Sequence, residues 1–131
     1  MDRAYAPYSR FSVGAVARSA AGMLHAGANL ENASYGLSLC AEAVALGAAN
    51  TAGDYKVEAI AVVGRAGMSG GDQAVVTPCG RCRQLISEAA GVSGVDIRVL
   101  SCNGDLTRIV ENPISSLLPQ AFGARLLTAE P

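Results

Sequence analysis

The chain has 131 residues, half of them hydrophobic and 16% charged, enough for one packed domain over 1–131 and unlike a disordered sequence. Ten Lys+Arg against eleven Asp+Glu give a net charge of −1 without any basic run, so nucleic acid is not an expected partner and a small, roughly neutral substrate fits better. There is no apolar leader core at Met1–Pro7 and no uncharged apolar run long enough to span a bilayer, so a cytoplasmic chain with no membrane partner is expected, its four cysteines reduced.

In chain order, Tyr5-Ala6-Pro7-Tyr8-Ser9 reads as a turn-rich opening, and 11–17 then alternates like a strand. Ser19-Ala20-Ala21-Gly22 turns the chain into 23–28, which closes a hairpin. Residues 29–36 form a polar loop, and a helix is expected from about Ser38, as its N-cap, to Asn50, with Cys40 in the first turn. A buried strand follows at 57–64, then a glycine-rich flexible loop at 67–72, a short apolar run at 74–77, and a helix over 80–90 prepared by Pro78. Residues 95–100 read as a strand, 103–105 as a turn, 106–110 as a second strand, and 113–118 as a short helix begun by proline. Strands alternating with helices imply an α/β sandwich in which helices cover a mixed sheet. With 15 glycines and many alanines, close backbone packing and association with further copies of the chain are expected.

Chemistry gathers at the cysteines. Cys79 and Cys82 stand three apart at a helix start, which puts both sulfurs on one face. Alone, that spacing fits half of a structural zinc site, a redox pair, or half of a catalytic zinc site. The redox reading is weakened because such a pair usually follows the first strand, whereas this one lies two-thirds along the chain. A structural zinc needs a fourth protein ligand, and neither Cys102 nor His25 has a partner at ligand spacing. Cys40 has Glu42 two residues on, and if two helix N-termini converge on a metal their positive ends favour thiolates. Three protein ligands leave one tetrahedral position for water, the mark of a catalytic zinc.

Cys40-Ala41-Glu42 followed by Pro78-Cys79-Gly80-Arg81-Cys82 resembles the cytidine deaminase family, the three-cysteine branch of the zinc nucleoside deaminases. The resemblance extends to the opening at 4–15, to Asn29-Leu30-Glu31-Asn32-Ala33-Ser34-Tyr35-Gly36-Leu37, and to Leu117-Leu118-Pro119-Gln120-Ala121-Phe122-Gly123, so it covers nearly the whole chain in order. It implies a three-layer α/β/α sandwich around a mixed, roughly five-stranded sheet, with Zn2+ held by Cys40, Cys79 and Cys82. Glu42 would act as proton shuttle in the hydrolytic deamination of cytidine and 2′-deoxycytidine, a step of pyrimidine salvage. Asn29 and Glu31 would bind the ribose, Ala41 and Phe11 would flank the nucleoside, and Phe122 would reach a neighbouring subunit's site within a homotetramer.

Two features depart from the family pattern. Many members carry Arg directly after the glutamate, where this chain has Ala43. Zinc with three thiolates is net negative, so Arg81, and secondarily Arg83, are expected to balance its charge. Only Met1-Asp2-Arg3 stand before the 4–15 block, where the family usually has a helix. Two alternatives remain: a deaminase of another aminated nucleoside such as blasticidin S, or a non-enzymatic zinc-stabilised binding domain with a fourth protein ligand. Outside the centre, His25 reads as a hairpin residue without special function, Cys102 as a small buried hydrophobe, and Tyr5, Tyr8 and Tyr35 as packing residues.

Overall fold

The computed structural model describes residues 1–66 and 74–127. Its centre is a five-stranded sheet in the order β2-β1-β3-β4-β5, built from Phe11–Ser19, Leu24–Ala28, Val57–Ala66, Arg98–Cys102 and Ile109–Pro113. Only β3 and β4 run parallel, so the sheet is mixed. Parallel neighbours need a crossover, and α2 (Gly80–Ser93) provides it. The loop expected at 67–72 lies outside the described residues.

Alternation along the strands sends Ala15, Ala17, Ile60 and Val99 to one face, where they form a single core with α1 (Ala41–Thr51), α2 and α3 (Ile114–Leu117). Sheet and helices together give the expected α/β class. The described helices account for one of the two helical layers of the implied sandwich.

Several boundaries differ from the sequence-based expectation, and three of them have a plain physical reason. The last strand begins at Ile109 rather than at 106 because buried Asn103 closes a wider turn: its side chain accepts from Arg108 N–H at 2.8 Å and donates to Thr107 Oγ1 at 3.0 Å. The fourth strand begins at Arg98 rather than at 95, since the Asp96 carboxylate accepts from the backbone and hydroxyl of Ser115 at the start of α3. Helix α2 runs on to Ser93, where Gly94 takes φ +70° and ends it.

The tightest contact in the fold lies between α1 and β2. At Gly27 a Cβ would fall well inside van der Waals distance of the Ala41 carbonyl and the Ala45 nitrogen. Alanines along the inner face of α1 let the helix backbone settle directly on this strand. At the far end of α1, His25 Nε2 meets the Asp54 carboxylate at 2.9 Å, and the Ser19 hydroxyl bonds the same carboxylate while accepting from Met23 N–H. His25 is therefore a cross-link between the hairpin and the α1–β3 loop.

Gly27→Ala should destabilise the protein in urea unfolding by about 2 kcal/mol or more, because backbone must move. Gly47→Ala, in α1 with open space around it, should stabilise it by roughly 0.5–1 kcal/mol. The Ser19 hydroxyl, then His25, hold the Asp54 carboxyl below the ordinary carboxylate range. That stabilisation is fully present above the unfolded pKa of about 3.9 and is lost as pH falls through the lower folded value. Unfolding midpoints of wild type and Asp54→Asn should accordingly differ at neutral pH and converge in acid.

Candidate active site

Leu30 and Leu39 exchange two backbone hydrogen bonds of 2.9 Å, which keeps the chain extended up to the start of α1. Cys40 is consequently the N-cap residue of α1 rather than part of its first turn, and Ser38, expected at the cap, instead accepts from Asn32 N–H at 3.0 Å. Cys79 occupies the same position at the start of α2, and Cys82 follows one turn later, fully buried. Two helix N-termini, each with a cysteine as its N-cap, thus open onto one point.

The three sulfurs lie within 4.8 Å of one another, and Cys40 Sγ is 3.9 Å from Cys79 Sγ. Zinc–sulfur bonds of about 2.3 Å in a tetrahedron place sulfurs about 3.8 Å apart, so the spacing suits zinc. Cys102 bonds the Leu100 carbonyl and His25 pairs with Asp54, so neither of the alternative ligands joins this cluster. Among the described residues the cluster offers three side-chain ligands.

Its electrostatics call for a cation. Burial, and then the charges of Glu42, Cys40 and Cys79, push the Cys82 thiol far up. Burial likewise raises Cys40, outweighing a hydrogen bond from Cys82. Burial acts on Cys79 in the same sense, but the backbone N–H of Cys82, the Cys82 and Cys40 thiols and the backbone N–H of Arg81 outweigh it, leaving Cys79 below the ordinary thiol range. Glu42, 4% exposed in the first turn of α1, is raised chiefly by burial, with the Cys82 thiol donating to its carboxylate.

A pocket of about 300 Å3 adjoins the sulfurs, and Phe11, Asn29, Glu31, Cys40, Ala41, Glu42 and Cys79 all line it. It sits where β1 begins and β3 ends, since Phe11 pairs with Ala66. Gly64 makes room for the aromatic wall: a Cβ there would come within 2.8 Å of the Phe11 ring. The Asn29 amide braces this wall by accepting from Val13 N–H and donating to the Phe11 carbonyl, both at 2.9 Å. The Glu31 carboxylate accepts from the backbone N–H groups of Tyr8 and Ser9, and the Ser9 hydroxyl holds its pKa low. Both side chains brace the pocket rim, and each keeps hydrogen-bonding capacity beyond these bonds.

Residues that sequence reasoning missed also line the pocket: Val13, Ser38, Leu39, Val76 and Thr77. Val13, two residues beyond Phe11 on one strand face, and Thr77, ahead of Pro78-Cys79, were the legible signals. Phe122 does not line this pocket. It is 56% exposed and belongs to a larger hollow of about 530 Å3 beside α2 and α3, away from the sulfurs. Arg81 Nη1 donates to the Ser38 carbonyl at 3.3 Å, bridging the two cysteine-bearing segments. Arg83 donates to the Pro78 and Leu117 carbonyls, which places it as a strut behind the Cys79 loop.

Residues 1–97 match the family described as the cytidine and deoxycytidylate deaminase zinc-binding region. A cytidine deaminase of Halalkalibacterium halodurans is 45% identical over 94% of this chain and 86% of its own length. One of Mycobacterium tuberculosis is 38% identical over 92% of this chain and 79% of its own. Among solved structures, a cytidine deaminase from Burkholderia pseudomallei superimposes with a TM-score of 0.78 at 40% identity, covering 92% of this chain and 89% of that one. These similarities span both the cysteine-bearing helices and the sheet that carries them, and the chain belongs to the cytidine and deoxycytidylate deaminase family.

Proposed function

We propose that this enzyme hydrolyses cytidine and 2′-deoxycytidine to the uridines with release of ammonia, as a step of pyrimidine salvage. The observation that carries this reading is the buried carboxylate of Glu42 beside three clustered sulfurs, at the wall of a pocket sized for a nucleoside. Zinc held by Cys40, Cys79 and Cys82 would supply Lewis acidity at its open fourth position, lowering the pKa of water there. Glu42 takes a proton from the attacking water and delivers it to ring N3 as the new bond to C4 forms. The carboxylate so regenerated takes the second proton from the new C4 hydroxyl and passes it to the amino group, and the C4–N bond breaks as the C4 carbonyl forms, releasing ammonia. Burial suits Glu42 to this exchange, because a carboxyl raised above its usual range gives up and takes up protons more evenly.

Phe11 and Ala41 flank the base, and Asn29 and Glu31 address the ribose with the hydrogen-bonding capacity left after bracing the rim. Arg81, bridged to the Ser38 carbonyl, supplies positive charge beside the thiolates in place of the arginine replaced by Ala43, with Arg83 behind it. Tyr5, Tyr8, Leu30, Tyr35, Leu37 and Leu39 are large and exposed, with Leu39 in the pocket wall and Tyr8 and Tyr35 beside Glu31 and Ser38. Such a patch supports assembly into a homotetramer whose subunits close one another's sites, with Phe122 entering from a neighbour. A reduced, three-thiolate centre suits the cytoplasm, and no helix among the described residues is long and apolar enough to cross a membrane.

Zinc-loaded wild type should convert cytidine to uridine in an absorbance assay, whereas Glu42→Gln should retain zinc and lose about 10^3-fold or more in kcat. Turnover of blasticidin S without turnover of cytidine would overturn the substrate assignment, and full activity in Glu42→Gln the mechanism. Arg81→Gln should lower activity or zinc retention against a competing chelator. Unchanged kinetics and metal content in that variant would remove Arg81 from the charge balance.

A further inference from the structure

From Leu117 to Phe122 the chain leaves α3 by an irregular path and ends at an exposed aromatic ring. Leu118 lies outside the helical region, and Gln120 takes φ +54°, a left-handed conformation unfavourable for a residue with a Cβ. Such a conformation persists where the surroundings hold it. The chain makes a turn at 119–120, and side chains tie the two ends of the segment to the rest of the fold.

The hold comes from consecutive side chains of α2. Arg83 Nη1 donates to the Leu117 carbonyl at 3.0 Å, while its Nε stays on the Pro78 carbonyl next to Cys79. Gln84 Nε2 donates to the Phe122 carbonyl at 2.9 Å. The segment is thus tied at both ends to the helix that carries Cys82.

We infer that Gln84 is a positioning residue for the reaction: its amide fixes the Phe122 carbonyl and so aims the ring at the pocket of a neighbouring subunit. This rests on the reading that Phe122 acts across a subunit interface. Because Gln84 lies two residues after Cys82, one helix sets both the metal centre of its own subunit and the aromatic wall lent to the next. Without the amide donor, the left-handed turn at Gln120 loses its side-chain anchor on the Phe122 carbonyl. The ring then samples several directions, and ordering it falls on the binding step.

Gln84→Met keeps the side-chain length and removes the donor. It should raise KM for cytidine about five-fold, the worth of one ordinary hydrogen bond, with kcat, zinc content and oligomer size unchanged. If Gln84→Met fails to assemble, the nearly isosteric Gln84→Glu, which exchanges the donor for an acceptor, gives the same comparison. Subunit mixing separates the tether from the Phe122 role. Phe122→Ala subunits mixed with Glu42→Gln subunits should recover a wild-type KM, because the inactive partner still lends its ring. Partners carrying both Glu42→Gln and Gln84→Met should recover it only in part. A wild-type KM in the Gln84 variant, or full recovery with the doubly substituted partner, overturns the positioning role and leaves Phe122 in place. No recovery with the Glu42→Gln partner overturns the Phe122 role itself, and the inference with it.

Discussion

The convergence of two helix N-termini on one point is the constraint on which the rest of this structure depends. Cys40 and Cys79 are the N-cap residues of α1 and α2, so their sulfurs stand where unpaired backbone N–H groups favour negative charge. A third thiol, Cys82, and the carboxylate of Glu42 are buried beside them. Four acidic groups so close are mutually unfavourable as anions: the upward displacement of Cys40 and Cys82 reflects both burial and that repulsion, and that of Glu42 reflects burial. A divalent cation relieves it, which is why the arrangement reads as a metal centre rather than a cluster of buried thiols.

Holding those N-termini together requires the sheet. Helix α1 sits on β2 closely enough that only a glycine fits at 27, and α2 is delivered by the crossover between β3 and β4. The bridge between Leu30 and Leu39 then delays the start of α1 until Cys40. The pocket beside the sulfurs comes from the same elements: Asn29, next after β2, braces the first residues of β1, and Gly64 in β3 leaves space for the Phe11 ring. Packing contacts thereby set the geometry of the chemistry, and a shift of α1 on β2 moves Cys40 and Glu42 together.

What the sequence made legible was local. Cys79 and Cys82 at helical spacing, Pro78 before them, the hairpin and the alternating strands all follow from periodicity and turn chemistry within a few residues. Grouping them with Cys40, Glu42, Asn29 and Glu31 rested on a resemblance spread along the whole chain, because nothing in spacing alone brings residues 39 positions apart to one ion. The features that escaped depend on long-range pairing. Cys40 as N-cap follows from Leu30, the late start of β4 from the hold of Ser115 on Asp96, and the structural use of His25 from Asp54. Asn29 is instructive in the other direction, since its amide serves the backbone of β1 before it can serve a substrate.

Zinc K-edge X-ray absorption on the metal-loaded protein tests the central claim most directly. Three sulfur scatterers at about 2.3 Å and one oxygen are expected, with the oxygen retained in Glu42→Gln, since the proposed mechanism makes that carboxylate a proton carrier and not a ligand. Four sulfurs, or a nitrogen or carboxylate ligand from the protein in the fourth position, would close the open site and contradict the account.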